Sequence, residues 1–407
     1  MFFNGRVPSN LRVAYYYDSF GGILYGLFFG FTIYFFTIVA RTIGATDTQI
    51  ALLSMAPFIA ALFTFYWSHH SSRRKKMPFL VKVKGIARGL LLFMFLTVNP
   101  WLFVIFVILF WFFEMAGSPA YTGIMKDIYP TEHRGKAMGY VRVEMSLTAI
   151  LATFIGGYFL NISPQSYRWV FPLGAAFGLL SLVSFRKIEV KSDRQIKADN
   201  KRFSFLKAIH IFQEDKSFFQ YQLIAFLAGF GWLSTLPLYP IFVVDVLHIS
   251  KAMLGTVGAL FSLFWAISYL FWGKYIDKRG PLKTRYLAML LFSFVSLFYF
   301  LASRFPEVGL WLIFMAAVFF GLGTGGGELS RFNYMTRIAT EDMVQSYWGI
   351  DFTLMGIRGV LAPFVGIGLK KWLGMGGAFM LAFLLTFGGF VLMALFAKKQ
   401  SQVAFKS

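Results

Sequence analysis

The dominant feature of this sequence is a succession of long apolar segments separated by short polar turns. An α-helix needs about 20 apolar residues to cross the hydrocarbon core of a bilayer. Lipid offers no partner to an unpaired backbone group, so segments that cross it must be helical. The sequence therefore predicts an all-α membrane protein with twelve transmembrane helices, near residues 16–41, 47–67, 79–98, 100–126, 138–161, 167–185, 218–246, 251–273, 285–303, 308–330, 344–369 and 375–397.

Composition supports this prediction and excludes other classes of protein. Of the 407 residues, 57% are apolar and 14% are charged, whereas a soluble domain carries about 25% charged residues. Strands of an outer-membrane β-barrel alternate and lack long apolar runs. The chain has no cysteine, which removes disulfides and thiolate chemistry. No metal-protease, nucleophilic-serine or phosphate-loop motif stands in a suitable context, so we expect neither an enzyme nor a bound cofactor or metal.

The chain is strongly basic, with 39 Lys and Arg against 18 acidic residues and a net charge of +21. In a soluble protein this surplus would suggest nucleic acid, but here most of the cations stand in loops. If the N-terminus is inside, 29 of the 39 fall on the cytoplasmic side and six outside. This asymmetry follows the positive-inside rule. We expect a cytoplasmic (inner) membrane protein with both termini in the cytoplasm and no nucleic-acid partner.

The longest polar stretch divides the chain into two sets of six segments. We predict an N-terminal six-helix bundle over 1–185, a cytoplasmic linker over 186–217 with a short helix near 203–213, and a C-terminal six-helix bundle over 218–407. A weak internal repeat with an offset of 210 residues places Gly139 on Gly349 and supports two pseudo-symmetric halves. Two like halves with parallel topology are a recurrent transporter layout.

The most specific motif is GKYIDKRGPLKTR, in the loop after the eighth segment. Gly273 allows two helices to approach, and Gly280 with the following proline forms a turn. Asp277 is an acid among cations that include Arg279, and it can cap the N-terminus of a neighbouring helix. The alternative interpretation is an ordinary basic loop that only sets topology.

This loop, the two six-segment halves and the long central loop resemble the major facilitator superfamily of secondary transporters. The connection after the fourth segment, which contains Pro130, Arg134 and Gly139, is also similar to that superfamily. The resemblance implies a monomer that works in the lipid bilayer by alternating access on a small-molecule substrate. It further implies that Asp277 contacts the region of 138–142, with Arg142, and a partner on segment 10, either Arg331 or Arg337, to latch the inner side.

The first half departs from the superfamily pattern. Trp67 stands where the acid of the equivalent loop is expected, and Phe63 replaces its early glycine. The loop then continues with the basic run 73–76. We predict a reversed polarity in which this run pairs with acids near the start of segment 11: Glu341, Asp342 and Asp351.

Ionisable residues inside the segments are the candidates for substrate and proton binding. A charge near the bilayer centre costs about 2.5–3.5 kcal/mol on insertion scales, so each must face a cavity or a partner. The cavity candidates are Glu114, Arg358, Glu328, Arg331 and Asp18. Glu328 and Arg331 are one turn apart and can pair with each other. Arg142 and Glu144, near the inner end of segment 5, suit a gating role.

These residues predict a secondary transporter driven by an ion gradient, with proton-coupled export of an amphiphilic compound as the first choice. Burial can raise the pKa of a carboxyl group toward neutral pH. Glu114 is therefore the candidate that loads and releases a proton. Transport of an organic anion or sugar-like solute is the alternative, favoured if Arg358 faces the cavity, and lipid flipping is another. A non-transporting membrane receptor or assembly factor is the alternative of a different class.

Glycine spacing makes one further prediction about packing. Gly22, Gly26 and Gly30 recur every four residues in the first segment, so they lie on one face of a helix. Such a face lets a second helix come close.

Overall fold

The computed structural model describes residues 3–97, 99–190, 206–249, 251–340 and 343–403. These residues form α-helices, short 3-10 turns and one π-helical turn, and no strand occurs among them. The prediction of an all-α membrane protein is therefore confirmed. The helices of the first part of the chain are α1 (Arg12–Phe31), α2 (Phe36–Thr42), α3 (Asp47–Leu62), α4 (Thr64–Ser72), α5 (Lys76–Leu92), α6 (Pro100–Ala116), α7 (Ser118–Ile128), α8 (Thr131–Ile162) and α9 (Tyr167–Phe185).

The helices that follow correspond to the linker and the later segments. They are α10 (Leu206–Glu214), α11 (Lys216–Thr235), α12 (Leu238–Ile241), α13 (Lys251–Arg279), α14 (Pro281–Arg304), α15 (Gly309–Ile338) and α16 (Val344–Val403). Helix α10 lies where the sequence predicted a short linker helix near 203–213. Residues 191–205 of the predicted linker lie outside the described residues.

Nine helical stretches of the described chain are long and apolar enough to cross a membrane, or ten if α3 and α4 form one span bent by 43°. Two features separate this number from twelve. Helix α5 carries Lys76, Lys82, Lys84 and Arg88, which lower its apolar character. Helix α16 contains two predicted segments, and a non-helical Gly374 with φ of 70° separates them. The chain is a multi-pass membrane protein, and twelve crossings stays a prediction.

The loop after α13 has the turn that the sequence predicted. Gly280 adopts φ of 84°, a conformation that is accessible to glycine without a Cβ penalty. Pro281 begins α14 at a position where its missing N–H costs no hydrogen bond. Asp277 lies in the last turn of α13.

The described chain divides into two compact units. One comprises the described residues of Met1–Ser204 together with Met335–Gly356, and the other those of Phe205–Tyr334 and Ile357–Ser407. The end of α15 and the start of α16 thus pack with the first unit, although they follow the predicted linker by more than a hundred residues. The domain boundaries predicted from the sequence did not assign residues 335–356 to the first unit.

Each unit has its own aromatic-rich core. In the first, Phe28, Phe36, Phe103 and Phe110 are buried among α1, α2 and α6. In the second, Phe242, Tyr299 and Phe379 pack together. Rings of this kind fill the space between helices with large apolar surfaces.

The predicted glycine face on α1 packs closely against α8. A Cβ on Gly26 would lie 2.2 Å from the Met145 carbonyl oxygen, and one on Gly30 would lie 2.3 Å from the Ala149 carbonyl oxygen. Thr148 adds a hydrogen bond of 3.0 Å from its hydroxyl to the Ile23 carbonyl. The prediction that this face admits a close helix is confirmed, and the partner is α8.

Candidate functional site

A buried charge cluster joins α5 and α6 in the first unit. The Glu114 carboxylate accepts a hydrogen bond from Lys84 Nζ at 2.6 Å and lies 3.3 Å from Arg88 Nη2. Glu114 is 4% exposed and Arg88 is 3% exposed. Two cations therefore share one carboxylate, and the cluster carries a formal excess of one positive charge.

Arg88 is fixed in place by two further helices. Its Nη1 donates to the Gly178 carbonyl at 2.7 Å and to Ser181 Oγ at 2.6 Å, both on α9. The guanidinium also lies over the rings of Tyr25 and Phe28 on α1, at 4.9 and 5.3 Å from their centroids. A guanidinium with this many fixed contacts is an anchor for the packing of α1, α5, α6 and α9.

Lys84 is the less constrained cation of the cluster. Its side chain is 14% exposed, and its ammonium lies 5.9 Å from the centre of the Tyr121 ring. A Cβ on Gly117 would lie 2.8 Å from the Lys84 stem, so the glycine at the end of α6 leaves room for this side chain. A flexible stem lets Lys84 exchange one anionic partner for another.

A second polar group lies on the interface between α1 and α8. The Glu144 carboxylate accepts hydrogen bonds from the Ser19 hydroxyl and, at 3.4 Å, from the Tyr15 hydroxyl. Asp18, the neighbour of Ser19, accepts a hydrogen bond of 2.8 Å from the Tyr129 hydroxyl. Arg142 lies within electrostatic range of Asp18. The structure thus places three of the candidates from the sequence near one another: Asp18, Arg142 and Glu144.

Residues 335–356 form contacts with α4, α7 and α8 that we call the clasp. Arg134 donates from Nη1 to Thr336 Oγ1 at 2.9 Å, and Lys126 Nζ donates to the Ala339 carbonyl. The Ser71 hydroxyl donates to Gln345 Oε1, and a Cβ on Gly349 would lie 2.6 Å from Ser68. Arg134 is therefore part of the clasp, and its gating role stays a prediction.

The predicted pairing of the basic run with acids remains a prediction. Glu341 and Asp342 lie outside the described residues. Asp351 is buried in the first unit, as is Lys76 at the end of the basic run. Trp67, at the position where an acid was expected, packs its ring against Phe79 and Phe112.

The remaining candidates belong to the second unit. Arg358 is buried on α16 and donates from Nη1 to the Ala225 carbonyl on α11 at 2.6 Å. A Cβ on Gly229 would lie 2.8 Å from this guanidinium, so the glycine makes room for it. Glu328 on α15 accepts a hydrogen bond from the Tyr269 hydroxyl on α13. The predicted pairing of Glu328 with Arg331 and the predicted contacts of Gly273, Asp277 and Arg279 remain predictions.

Lys84 is the functional candidate that sequence reasoning missed, because it was counted among the cytoplasmic loop cations. Its spacing was the available signal: Lys84 and Arg88 are four residues apart and so lie on one face of a helix. Among the described residues, no group of three His, Asp or Glu side chains is arranged to hold a metal ion.

Comparison with known proteins identifies the family. Residues 19–305 and 222–406 match the sequence model of the Major Facilitator Superfamily. No curated protein sequence matches the chain. The human organic anion transporter MFSD10 (TETRAN) is similar in structure, with a TM-score of 0.72 and 13% identity over 95% of this chain and 100% of that one.

A bacterial homologue of the iron transporter ferroportin, in an outward-facing state, is also similar in structure. Its TM-score is 0.75 at 12% identity, over 95% of this chain and 99% of that one. At these identities the likeness shows the fold alone. Because the two family matches together span nearly the whole sequence, the chain belongs to the Major Facilitator Superfamily.

Proposed function

We propose that this protein is a secondary active transporter that moves a small amphiphilic organic anion together with a proton by alternating access. The observation that carries the proposal is the buried cluster in which Lys84 and Arg88 share the single carboxylate of Glu114. Of the substrates that the sequence left open, an anion fits this excess of positive charge best.

The cluster offers a way to bind an anion without leaving a buried charge unpaired. Breaking a buried ion pair costs about 3–5 kcal/mol when one charge is left alone. An incoming carboxylate or sulfonate can replace Glu114 at Lys84 while Arg88 keeps Glu114 as its own partner. Glu114 then acts as the internal anion that competes with the substrate, a different role from the proton loading that the sequence suggested.

The surroundings of the cluster suit an amphiphilic anion. The Tyr121 ring lies beside Lys84, the more exposed cation of the cluster. Aromatic faces next to a cation bind the apolar body of a ligand, while the cation binds its charge. A hexose would bring neither an apolar body nor a charge.

Alternating access requires contacts that form and break during each cycle, and the clasp supplies candidates. Its hydrogen bonds join Arg134 to Thr336 and Ser71 to Gln345. We propose that these contacts, with Asp277 of the second-half loop and the buried Asp351, hold one side closed. A solute that moves together with a proton follows an inward proton gradient, so we propose uptake in place of the export that the sequence favoured. A cytoplasmic-membrane location with both termini inside, twelve crossings and a monomeric chain remain part of the proposal, supported by the charge asymmetry and the fold.

Ligand binding to the purified protein in detergent tests the anion site. Naphthalene-1-sulfonate, a hexose and a quaternary ammonium compound serve as probes, and the thermal shift of unfolding is the readout, since a ligand stabilises the state it binds. We expect stabilisation by the sulfonate. Lys84→Gln is expected to weaken its binding at least tenfold, equivalent to about 1.4 kcal/mol, and Lys84→Arg to retain most of it.

The exposed Lys82 on the same helix provides the matched control. Lys82→Gln removes the same charge from α5 and should bind the sulfonate like the wild type. If Lys82→Gln and Lys84→Gln weakened binding of the sulfonate equally, the effect would come from the overall charge of the protein, and this result would contradict a binding site at Lys84. Stabilisation by the hexose alone would favour the sugar-like alternative.

A further inference from the structure

Arg285, in the second turn of α14, is a cation of the second unit that pairs with no carboxylate of the described residues. Its Nη1 donates a hydrogen bond of 3.2 Å to the Gly327 carbonyl on α15. Its Nε is buried and has no acceptor within the described chain. The first turn of α14 contains Lys283 and no acid, so the positive end of the helix dipole adds to the charge there. The described part of the second unit therefore supplies no counter-ion for this guanidinium.

A glycine of α15 places this guanidinium beside an aromatic ring. A Cβ on Gly327 would lie 3.2 Å from Phe292 Cε2 and 3.6 Å from Arg285 Nη1. The charged group and the ring thus border the same point, and a glycine at position 327 puts no side chain there. Arg285 and Phe292 are both partly exposed, so a ligand can reach both of them.

Two further rings extend the apolar surface next to Phe292. The Phe292 ring centre lies 5.7 Å from that of Trp232 on α11 and 5.9 Å from that of Phe320 on α15, and the last two are 5.8 Å apart. Trp232 and Phe320 are also partly exposed. The Nε1–H of Trp232 has no acceptor among the described residues. The three rings therefore offer stacking surfaces and one available hydrogen-bond donor.

This combination of groups selects an anionic amphiphile. Guanidinium N–H groups bind carboxylates, sulfonates and phosphates through charge-assisted hydrogen bonds, often two in parallel. Aromatic faces beside the charge bind the apolar body of such a ligand. A neutral ligand would leave the guanidinium without a counter-ion, and a cationic ligand would be repelled by it.

We propose that Arg285, Phe292, Trp232 and Phe320, which we call the Arg285 site, bind an anionic amphiphile with its head on the guanidinium and its apolar body on the three rings. The site belongs to the second unit, whereas Lys84 and Arg88 belong to the first. It goes beyond the proposed function and does not depend on it. A soluble aromatic acid and an anionic lipid share the chemistry that these residues recognise.

Equilibrium dialysis of naphthalene-1-sulfonate against the purified full-length protein in a neutral detergent tests the Arg285 site. Arg285→Gln removes the charge, and we expect it to weaken binding of the sulfonate at this site at least tenfold. Arg285→Lys keeps the charge but loses the planar donor geometry, so an intermediate affinity is expected. Phe292→Leu should weaken binding of the naphthalene compound more than binding of butane-1-sulfonate, which has no ring.

Lys283→Gln is the matched control, because it removes an exposed cation from the same end of α14. It should leave binding unchanged, and weakening equal to that of Arg285→Gln would overturn the site by reducing the effect to overall charge. Binding that Arg285→Gln leaves intact would overturn it as well. The unfolding temperature without ligand reports whether each variant folds. If Arg285→Gln folds poorly, Arg285→Lys and Phe292→Leu decide, and wild-type affinity in both would refute the site.

The number of sulfonates bound per chain separates this inference from the proposed function. If both are right, the wild type binds two, and Lys84→Gln and Arg285→Gln each bind one. If the proposed function is wrong and the Arg285 site is right, the wild type binds one, which Arg285→Gln loses and Lys84→Gln keeps. If only Lys84→Gln lowers the number, the Arg285 site is wrong.

Added lipid distinguishes the two sources of the anionic head group. Phosphatidylglycerol, compared with neutral phosphatidylcholine, should displace the sulfonate from Lys84→Gln protein if the site takes an anionic lipid. If neither lipid displaces the sulfonate, the ligand is a soluble aromatic anion. If neither the sulfonate nor phosphatidylglycerol binds in a way that depends on Arg285, the proposal is refuted.

Discussion

The role of Glu114 depends on the cations that it contacts. Taken from the sequence, an acid in the middle of a segment suggested a group that loads a proton. Placed between Lys84 and Arg88, its charged form is the stabilised one, because both neighbours are cations. An in-span acid is thus recognisable from one sequence, but its role depends on cations that only packing brings to it.

Glu114→Gln tests the balance of charge in the cluster. We expect this variant to unfold at a lower temperature than the wild type, because two buried cations lose their carboxylate partner, at a cost of about 3–5 kcal/mol. We also expect naphthalene-1-sulfonate to stabilise it more than it stabilises the wild type, since the internal competitor is gone. Thermal unfolding with and without the sulfonate measures both effects, and a variant as stable as the wild type and indifferent to the sulfonate would contradict the account.

Arg88 is predicted to anchor the packing of four helices, so its removal should lower the stability of the fold more than it weakens binding of the anion. Arg88→Met breaks its ion pair and its hydrogen bonds to α9, and we expect a marked fall in the unfolding temperature. Adding Glu114→Gln should cost less in this background than in the wild type, because only Lys84 is left to lose its carboxylate partner. Lys82→Met is the control on the same helix, and additive losses in the double variant would speak against a coupled pair.

Helix packing is the scale at which sequence spacing was most informative. The recurrence of Gly22, Gly26 and Gly30 predicted a face for close approach, and the structure places α8 against it. The identity of the partner helix was not predictable, because the spacing of glycines along one helix does not specify which other helix packs against it. The same limit applies to the clasp, where residues 335–356 pack with a unit distant in sequence.

Gly26→Ala tests the α1–α8 contact. The added Cβ would lie 2.1 Å from Thr148 Oγ1 and 2.2 Å from the Met145 carbonyl oxygen, and overpacking of this kind costs about 1–3 kcal/mol. Gly85→Ala is the matched control, since nothing lies within 4 Å of its Cβ position. Thermal unfolding should show a loss for Gly26→Ala and none for Gly85→Ala, and equal behaviour of the two would contradict the close packing.

Cysteine labelling can test the clasp, because the chain has no cysteine of its own that would react. The new thiol of Ser68→Cys lies against Gly349 and should react slowly with a hydrophilic maleimide. Gln345→Ala removes a buried hydrogen bond worth about 1 kcal/mol, so the labelling rate should rise about fivefold by population shift. Gln400→Ala removes a comparable bond in the second unit and should leave the rate unchanged. Unchanged labelling in Gln345→Ala would show that the clasp does not control access.

At the scale of the whole molecule, composition and long apolar segments were sufficient to predict an all-α membrane protein, and the resemblance of the loop at 273–285 and of the two six-segment halves indicated its family. Those properties depend on the sum of many residues, so single exceptions such as the four cations of α5 do not change them. The candidate site depends on a few pairs, including Lys84 with Glu114 and Asp18 with Tyr129, whose members are 30 or more residues apart. Sequence reasoning identified Glu114 and Asp18 singly, missed Lys84, and paired neither acid with its partner.

Transport by the purified protein in liposomes tests the central claim most directly. The measurement is uptake of naphthalene-1-sulfonate with and without an acidic exterior, by the wild type and by Lys84→Gln, beside protein-free liposomes. The account predicts uptake by the wild type that an acidic exterior accelerates, and uptake near the protein-free level in Lys84→Gln. Wild-type uptake no faster than in protein-free liposomes, or uptake that Lys84→Gln leaves intact, would contradict it.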